Sequence, residues 1–421
     1  MKKQKNSALS DLDERIHLQT GGFSGGEDPD RDVRSWQSRE QRHSKGVSVL
    51  IILAVVLFFL FAASLLFVVP YDQFRFSPAW VFEHVQQRFR QFYLFLFGEN
   101  SAFGITVWQY LAVILVGAAL AATGAIFQGA FRNVLAGPST MGVMSGGTLG
   151  CLVYVLLFVE VETEATYTTF DLEEYLAAQA SATIWTTYQQ QICTLIGCFA
   201  GVGLIVLIAT AAGRGRVSAA AMVISGSVFS NITGQITMII QYYMLLANPE
   251  DERIELLRDL MMGSFDNVTS FEYVLMMGVP ILICLAVLLA LSGRMNLFSL
   301  DEDEAQTMGV NLRPLRIAMI AAGTVLTAVV VSFCGRIGFL GFMIPLVGRK
   351  LVGPDMRRLL PASLLLGSIL LILVFDAAYI AGMTDSLNLF TSTIGSIVMI
   401  ATLFLRKGGV RYGTSEGTAA P

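Results

Sequence analysis

Long apolar runs separated by short polar connections make up most of the chain. The first run, Val47 to Val69, can cross about 30 Å of hydrocarbon as a helix, and Pro70 ends it. Three of the later runs are weak, because one is rich in glycine, one is short and the last opens with polar residues. The pattern predicts an all-α polytopic membrane protein with about ten transmembrane helices. The later runs are at about 106–131, 140–159 (Gly-rich), 191–213, 217–245, 270–292, 315–335, 337–348 (short), 360–383 and 388–405 (polar start).

Polar segments flank and interrupt this transmembrane domain, which we assign to residues 47–406. Residues 1–46 carry mixed charge and a Gly-rich stretch, which is typical of a disordered tail, and 407–421 form a short C-terminal tail. Two long connections, 70–105 and 160–190, are predicted to be extracellular insertions. They are either surface decoration or docking sites for a partner, because outer loops often carry function.

The composition supports the membrane assignment. Of 421 residues, 54% are hydrophobic and 14% are charged, whereas soluble domains carry about 25% charged residues. These values argue against a soluble enzyme, and a net charge of −4 gives no support for nucleic-acid binding. The five cysteines form no Cys-x-x-Cys pair and the three histidines lie outside the apolar runs. The sequence therefore indicates neither a disulfide framework nor a metal or haem site.

Basic residues in the connections predict the orientation. Short cytoplasmic loops carry an excess of Lys and Arg. With the N-terminus inside, the inner segments hold thirteen such residues and the outer segments hold six. Both termini are therefore predicted to be cytoplasmic. The six outer residues are Arg75, Arg88, Arg90, Arg253, Arg258 and Arg336.

Catalytic motifs are missing from the sequence. It contains no phosphate loop, no His-Glu-x-x-His helix and no Gly-x-Ser-x-Gly elbow, so we expect no enzymatic activity. Asp376 is the one clear acid inside an apolar run. At that depth it is either a functional residue or a structural acceptor of hydrogen bonds. A proton-driven carrier usually needs more than one such group, which disfavours a secondary transporter.

Small residues recur inside several runs. In lipid, helices associate through close backbone contact, and small residues at spacing four permit that contact. A tightly packed bundle is therefore expected. The spaced glycines are Gly142, Gly146 and Gly150 in one run and Gly197 and Gly201 in another.

Two stretches carry a recognisable combination of motifs. The first, residues 117–142, reads GAALAATGAIFQGAFRNVLAGPSTMG. The second runs from Leu260 to Pro361 and opens with LMMGSF; it contains NLFSLDEDEAQTMGVN at 296–311, GRIGFLGFMIP at 335–345 and VGPDMRRLLP at 352–361. In this order and spacing, from about residue 48 to 406, the chain resembles the FecCD family, the permeases of ABC importers for iron–siderophores, haem and cobalamin. Val134 stands where the family pattern has a proline.

This resemblance implies a type II ABC importer permease of about ten helices in the bacterial cytoplasmic membrane. It also implies a second permease subunit, identical or different, together with two cytoplasmic ATPase subunits and an extracytoplasmic binding protein. No cofactor is expected on the chain, because the partner subunits use the ATP. The expected cargo is a chelated iron ligand, a ferric siderophore or haem. The alternatives are cobalamin or another metal chelate, and a membrane scaffold or sensor without transport.

The resemblance further assigns ATPase coupling to the inner link 293–314. In the family, this link forms short helices that sit in a cleft of the ATPase. The family run Leu-Gly-Asp-Glu-x-Ala-x-x-Leu-Gly is matched here, except that Asp301 replaces the first glycine. An ordinary solvated loop is the alternative. The coupling candidates are Leu300, Asp303, Glu304, Ala305, Met308 and Gly309.

In that family the fifth and tenth helices line the central cavity. In this chain small and weakly polar residues share one face of the fifth predicted span, and hydroxyl groups cluster in the tenth. Such walls suit a large ligand that is already chelated, whereas a bare metal ion would need His or Cys ligands. The candidates are Ser227, Ser230, Asn231, Gly234, Thr391 and Ser392, with Thr237, Met238, Asn388 and Ser396 beside them.

The chain departs from the family where the binding protein docks. The family arginines before the second span and after the ninth are missing, whereas the outer segments are rich in acids. Like charges facing each other across an interface are costly, so we expect the partner to present Lys or Arg. Two alternatives are that Arg75, Arg88 and Arg90 replace the lost arginines, or that the second permease subunit keeps them. The acidic candidates are Glu173, Glu174, Glu250, Asp251 and Glu252.

Overall fold

A computed structural model describes residues 29–67, 85–94 except 89 and 92, 102–159, 172–212, 219–299 and 312–405. Within these ranges the regular structure is helical and no strand occurs. Short 3₁₀ turns occupy Asn296–Ser299 and Thr384–Ser386. The α-helices are α1 (Pro29–Phe67), α2 (Ala102–Ala130), α3 (Val143–Phe158), α4 (Leu172–Ala212), α5 (Ala219–Ala247), α6 (Glu252–Met262), α7 (Phe271–Met295), α8 (Arg313–Cys334), α9 (Leu340–Val352), α10 (Met356–Ala381) and α11 (Leu387–Leu405).

Each of the ten predicted runs lies in a helix of its own. Among the described residues, seven helices are long and apolar enough to cross a membrane: α1, α2, α4, α5, α7, α8 and α10. The other three runs, in α3, α9 and α11, are those that the sequence marks as weak. The remaining helix, α6, connects α5 to α7. The structure also begins α1 at Pro29, within the segment whose composition is typical of disorder.

The helix α2 lies at the centre of the bundle, with 83% of its most apolar stretch buried. It packs against α7, α8, α9 and α10. Contact is close because glycines meet: a Cβ on Gly117 would lie 2.5 Å from the Gly367 carbonyl oxygen, and one on Gly124 would lie 1.5 Å from that of Gly341. Since lipid provides no hydrophobic force between helices, such backbone contacts hold the bundle together.

The pair α3 and α4 is joined in the same way. A Cβ on Gly146 would lie 2.2 Å from the Gly197 carbonyl oxygen, and a Cβ on Gly201 would lie 2.5 Å from that of Gly142. Gly150 faces the backbone of α4 one turn further along. The prediction that glycines at spacing four allow close helix contact is therefore confirmed.

A tight turn, residues 335–339, joins α8 to α9. Gly335 and Phe339 both have positive φ, 67° and 62°. Gly335 must be glycine, because a Cβ there would also lie 2.4 Å from the Asp259 carbonyl oxygen of α6. Phe339 packs on α11, where a Cβ on Gly395 would lie 2.3 Å from the Phe339 Cβ. The α8–α9 turn is thus held between α6 and α11.

Candidate translocation path

Most of the surface of α5 lies outside the packed bundle. Only 17% of its most apolar stretch is buried, although the helix carries several polar side chains. Ser227, Asn231 and Gln235 are exposed on neighbouring turns of this helix. Within the described residues the Asn231 amide has no hydrogen-bond partner. Because polar groups in a membrane face protein or a water-filled cavity rather than lipid, this face is suited to line a path or to meet another subunit.

The other candidates on α5 point in a different direction. Ser230 forms a hydrogen bond with Ser145 of α3 and donates to the Ser139 carbonyl oxygen at 3.3 Å. Thr237 is fully buried, and Gly234 is half-buried. The structure therefore divides the predicted cluster: Ser227 and Asn231 are exposed, whereas Ser230 belongs to the contact between α3 and α5.

In α11 the predicted residues are arranged around Asn388. Its Oδ1 atom accepts the Gly338 backbone N–H at 3.0 Å, and its Nδ2 atom donates to the Met261 carbonyl oxygen at 3.3 Å. Ser392 donates to the same Oδ1 atom at 3.3 Å, while Thr391 is buried and donates to the Asn388 carbonyl oxygen. Asn388 thereby ties α11 to the α8–α9 turn and to the end of α6.

Arg336 is a residue that sequence reasoning treated only as one outer cation among six. Its backbone N–H donates to the Leu260 carbonyl oxygen at 2.9 Å, which anchors it to α6. Its side chain extends toward α5, where the Nη1 atom lies 4.0 Å from the position of a Cβ on Gly234. Arg336 thus joins α6 to α5, and α5 is one of the two helices that the family resemblance assigns to the path. Its place in the 335–345 stretch was visible in the sequence, but the approach of its side chain to α5 was not.

Asp376 accepts hydrogen bonds from two neighbouring helices. Ser64 Oγ of α1 donates to its Oδ2 atom at 2.6 Å, and Tyr110 Oη of α2 donates to its Oδ1 atom at 2.5 Å. All three residues are buried. This geometry favours the structural alternative for Asp376, because a carboxylate occupied by two buried donors fastens α1 to the core.

The acidic segment around α6 is largely paired within the chain. Asp251 caps α6 by accepting the Arg253 backbone N–H at 3.0 Å, and its carboxylate lies 2.7 Å from the Arg253 guanidinium. The hydrogen bond from Arg253 lowers the pKa of Asp251. Arg258 lies 3.3 Å from Asp385. Of the docking candidates in this segment, Glu250 is exposed, whereas Asp251 already has a partner.

The remaining docking candidates are described less fully. The carbon at the centre of the Arg88 guanidinium lies 5.9 Å from the centroid of the Phe103 ring, and Arg90 is exposed. Glu173 and Glu174 lie in the first turn of α4 and Glu252 begins α6, but their side chains are outside the described part of the structure.

The coupling candidates, Leu300, Asp303, Glu304, Ala305, Met308 and Gly309, all lie outside the described residues. The ends of their link are described. Asn296 donates to Asp355 Oδ1 at 2.6 Å and accepts the Met356 backbone N–H at 2.8 Å. Asp355 is the N-cap of α10. The start of the link is therefore fastened to α10, a contact that sequence reasoning did not anticipate.

A cavity of about 190 Å³ is lined by residues of α3, α4, α6, α7 and α8 and by Gly335. Gln190 in its wall donates to the Ser332 carbonyl oxygen at 2.8 Å. Asp259 accepts from Asn267 at 3.4 Å, and burial raises the pKa of Asp259. Across the described residues, no three His, Cys, Asp or Glu side chains are close enough to hold a metal ion.

An all-helical bundle, in which seven of the described helices are long and apolar enough to cross a membrane and one of them has a weakly polar exposed face, is the architecture of a polytopic membrane protein suited to transport. The chain matches the FecCD transport family over residues 53–406 and belongs to it. It is therefore the permease of an ABC importer for metal chelates, and the family is not itself enzymatic. Importers of this kind work with ATPase subunits and a binding protein, and their permeases usually dimerise.

Similar proteins support this assignment. The molybdate import system permease MolB of Haemophilus influenzae is 29% identical over 316 residues, which cover 74% of this chain and 83% of that protein. The cobalamin import system permease BtuC of Halobacterium salinarum is 29% identical over 281 residues, 67% of each chain. Among solved structures, an inward-facing metal-chelate type ABC transporter is 26% identical with a TM-score of 0.63, covering 85% of this chain and 99% of that one.

Proposed function

We propose that this permease carries a chelated iron ligand, a ferric siderophore or haem, from an extracytoplasmic binding protein into the cytoplasm. The observation that carries the proposal is the exposed face of α5, with the hydroxyl of Ser227 and the amide of Asn231. These groups are neutral and weak metal ligands. They suit a cargo that arrives already chelated, because a bare metal ion would require imidazole, thiolate or carboxylate ligands.

Two alternatives are kept. The relatives named for molybdate and cobalamin import share the architecture, so cobalamin or another metal complex is the second candidate cargo. A scaffold or sensor without transport is the third.

Uptake by proteoliposomes that contain the permease, its ATPase and its binding protein separates these candidates. Iron-labelled siderophore, haem, cobalt-labelled cobalamin and molybdate are offered in turn, with and without internal ATP. ATP-dependent accumulation of an iron chelate alone supports the proposal. Accumulation of cobalamin or molybdate supports the second candidate, and no accumulation of any cargo supports the third.

Cysteine labelling tests the path. In a background without the five native cysteines, Asn231→Cys should react with a membrane-impermeant thiol reagent in at least one nucleotide state. Ile232→Cys is the matched control, because Ile232 is exposed on the adjacent, apolar side of α5 and is expected to face lipid. Equal labelling at both positions in every state would remove Asn231 from the path.

Coupling to the ATPase is proposed for residues 300–309, in the link whose start Asn296 fastens to α10. A push on this link would reach the membrane helices through that contact. Gly309→Arg should abolish ligand-stimulated ATP hydrolysis and uptake while the subunits still assemble. Normal stimulation in the purified Gly309→Arg complex would contradict the assignment.

Both termini are proposed to be cytoplasmic.

For docking, we propose that the binding protein presents basic residues to the acids of the outer face. Glu173, Glu174 and Glu250 are the preferred acids, because Asp251 is already paired with Arg253. Charge reversal at Glu173 and Glu174, compared with Arg88→Glu combined with Arg90→Glu, tests the polarity. If only the arginine reversal weakens binding-protein affinity and its salt dependence, the basic-partner proposal is wrong.

A further inference from the structure

Arg336 is held in place by a rigid frame. Its own N–H is bonded to Leu260 of α6, and the next glycine in the turn, Gly338, is bonded to Asn388 of α11. The positive φ values at both ends of the α8–α9 turn leave the backbone little freedom. The turn therefore sets the direction in which the Arg336 side chain leaves the backbone, and the side chain runs toward α5.

The guanidinium reaches α5 about midway along that helix. Its Nη1 atom lies 4.0 Å from the position of a Cβ on Gly234, and Gly234 is near the centre of Ala219–Ala247. Glycine leaves room for the planar group at this point. Asn231, less than one turn before Gly234, is exposed. The cation thus lies beside the exposed polar face of α5, near the middle of a helix that is long and apolar enough to cross a membrane, where an ionisable group is by default a functional candidate.

This cation has no partner in the part of the chain that the structure describes. No carboxylate forms an ion pair with it, and its guanidinium makes no hydrogen bond there. The nearby acid of α6, Asp259, is bonded to Asn267 instead. Arg336 is half-buried, and its five N–H donors remain open to the space beside α5. Such a group is ready to bind an anion that enters the path.

We propose that Arg336 binds an anionic oxygen group of the cargo, such as a carboxylate, as the cargo passes along the exposed polar face of α5. This inference rests on the proposed function, and it narrows the cargo to iron chelates that carry an anionic oxygen group. A planar guanidinium pairs with such groups through two parallel hydrogen bonds, which gives orientation as well as attraction. The amide of Asn231 offers a neutral contact on the same side.

A charge-selective labelling experiment tests the site without requiring transport. Gly234→Cys is expected to fold, because its Cβ would make only ordinary contacts with Arg336 and Met261. In the assembled permease–ATPase complex without native cysteines, an anionic methanethiosulfonate reagent should react with this cysteine faster than its cationic counterpart. Adding Arg336→Gln should lower the anionic-to-cationic rate ratio about tenfold, because an adjacent unit charge in a low-dielectric site has an effect of at least this size. Arg336→Lys should preserve most of the ratio.

Arg258→Gln is the matched control, because Arg258 is an exposed cation that already pairs with Asp385. It should leave the ratio unchanged. Citrate or molybdate added at millimolar concentration should slow labelling when Arg336 is present and have no effect in Arg336→Gln. An unchanged rate ratio in Arg336→Gln, or no protection by either anion, would overturn the inference.

An uptake assay with the wild type and Arg336→Gln distinguishes failure of this inference from failure of the proposed function. If the wild-type importer accumulates a carboxylate-bearing ferric chelate, Arg336→Gln should raise the KM for that chelate about tenfold. If the wild type accumulates no chelate at all, the proposed function fails while the labelling ratio still reports on Arg336. If Arg336→Gln dissociates the permease dimer, the cation binds the second subunit. If the labelling ratio depends on anionic lipid, the cation binds a lipid headgroup. In either case the inference is wrong.

Discussion

Removal of the Asp376 carboxylate should loosen the attachment of α1 to the bundle. Asp376→Ala leaves the hydroxyls of Ser64 and Tyr110, which are 3% and 2% exposed, without their acceptor. An unsatisfied buried polar group costs about 1–3 kcal/mol, whereas hydrogen bonds between membrane helices average about 0.6 kcal/mol. For two bonds to one carboxylate, doubling these values gives an expected loss of about 1–6 kcal/mol. Few other contacts compensate, since only 11% of the most apolar stretch of α1 is buried.

Thermal unfolding of the purified complex, followed by fluorescence-detected size exclusion, measures this loss. Ser64→Ala and Tyr110→Phe each remove one donor and should lower the Tm less than Asp376→Ala does. Because the three side chains form one network, Asp376→Ala combined with Tyr110→Phe should destabilise by less than the sum of the single changes. Asp376→Asn keeps an acceptor oxygen and should fall between the wild type and Asp376→Ala.

The opposite result would refute this reasoning. If Asp376→Ala unfolds at the wild-type temperature but no longer supports uptake, Asp376 is a functional residue and the hydrogen bonds do not determine its role. A pH dependence of uptake that disappears in Asp376→Asn would lead to the same conclusion. Unchanged uptake together with a lowered Tm supports the structural role.

Three further changes have expected outcomes. Gly197→Ala should lower the Tm by several degrees, because its Cβ would meet α3 backbone, whereas Gly203→Ala, with nothing within 4 Å, should be neutral or slightly stabilising in the same assay. Asn388→Ala should raise hydrogen exchange at the Gly338 amide, and Asn388→Asp, which keeps that acceptor, should not. Because Arg253 lowers the folded-state pKa of Asp251 below its unfolded value near about 4, this pair contributes stability above that pH and loses it as the pH falls through the folded-state pKa. Asp251→Asn should abolish that acid-dependent part of the Tm.

The membrane helices could be predicted from the sequence because an apolar run of sufficient length is a local property. The three runs with weak signals, now α3, α9 and α11, were still recognisable, since their flanking turns and glycines are local features as well. The glycines at spacing four, such as Gly146 and Gly197, predicted close contact for the same reason. The family resemblance rested on motifs whose order and spacing the chain itself carries.

The roles of individual polar residues depended on contacts between distant parts of the chain. Ser230 and Asn231 are neighbours in sequence, yet one packs on α3 and the other is exposed, because adjacent helix positions point about 100° apart. The partners of Asp376 lie 266 and 312 residues away. Arg336 looked like an outer surface charge, and only the fold of the α8–α9 turn brings it to the middle of α5. The charge and polarity of each residue and the length of each apolar helix are properties of the local sequence. The partner of each charged or polar group, in contrast, depends on how the helices pack.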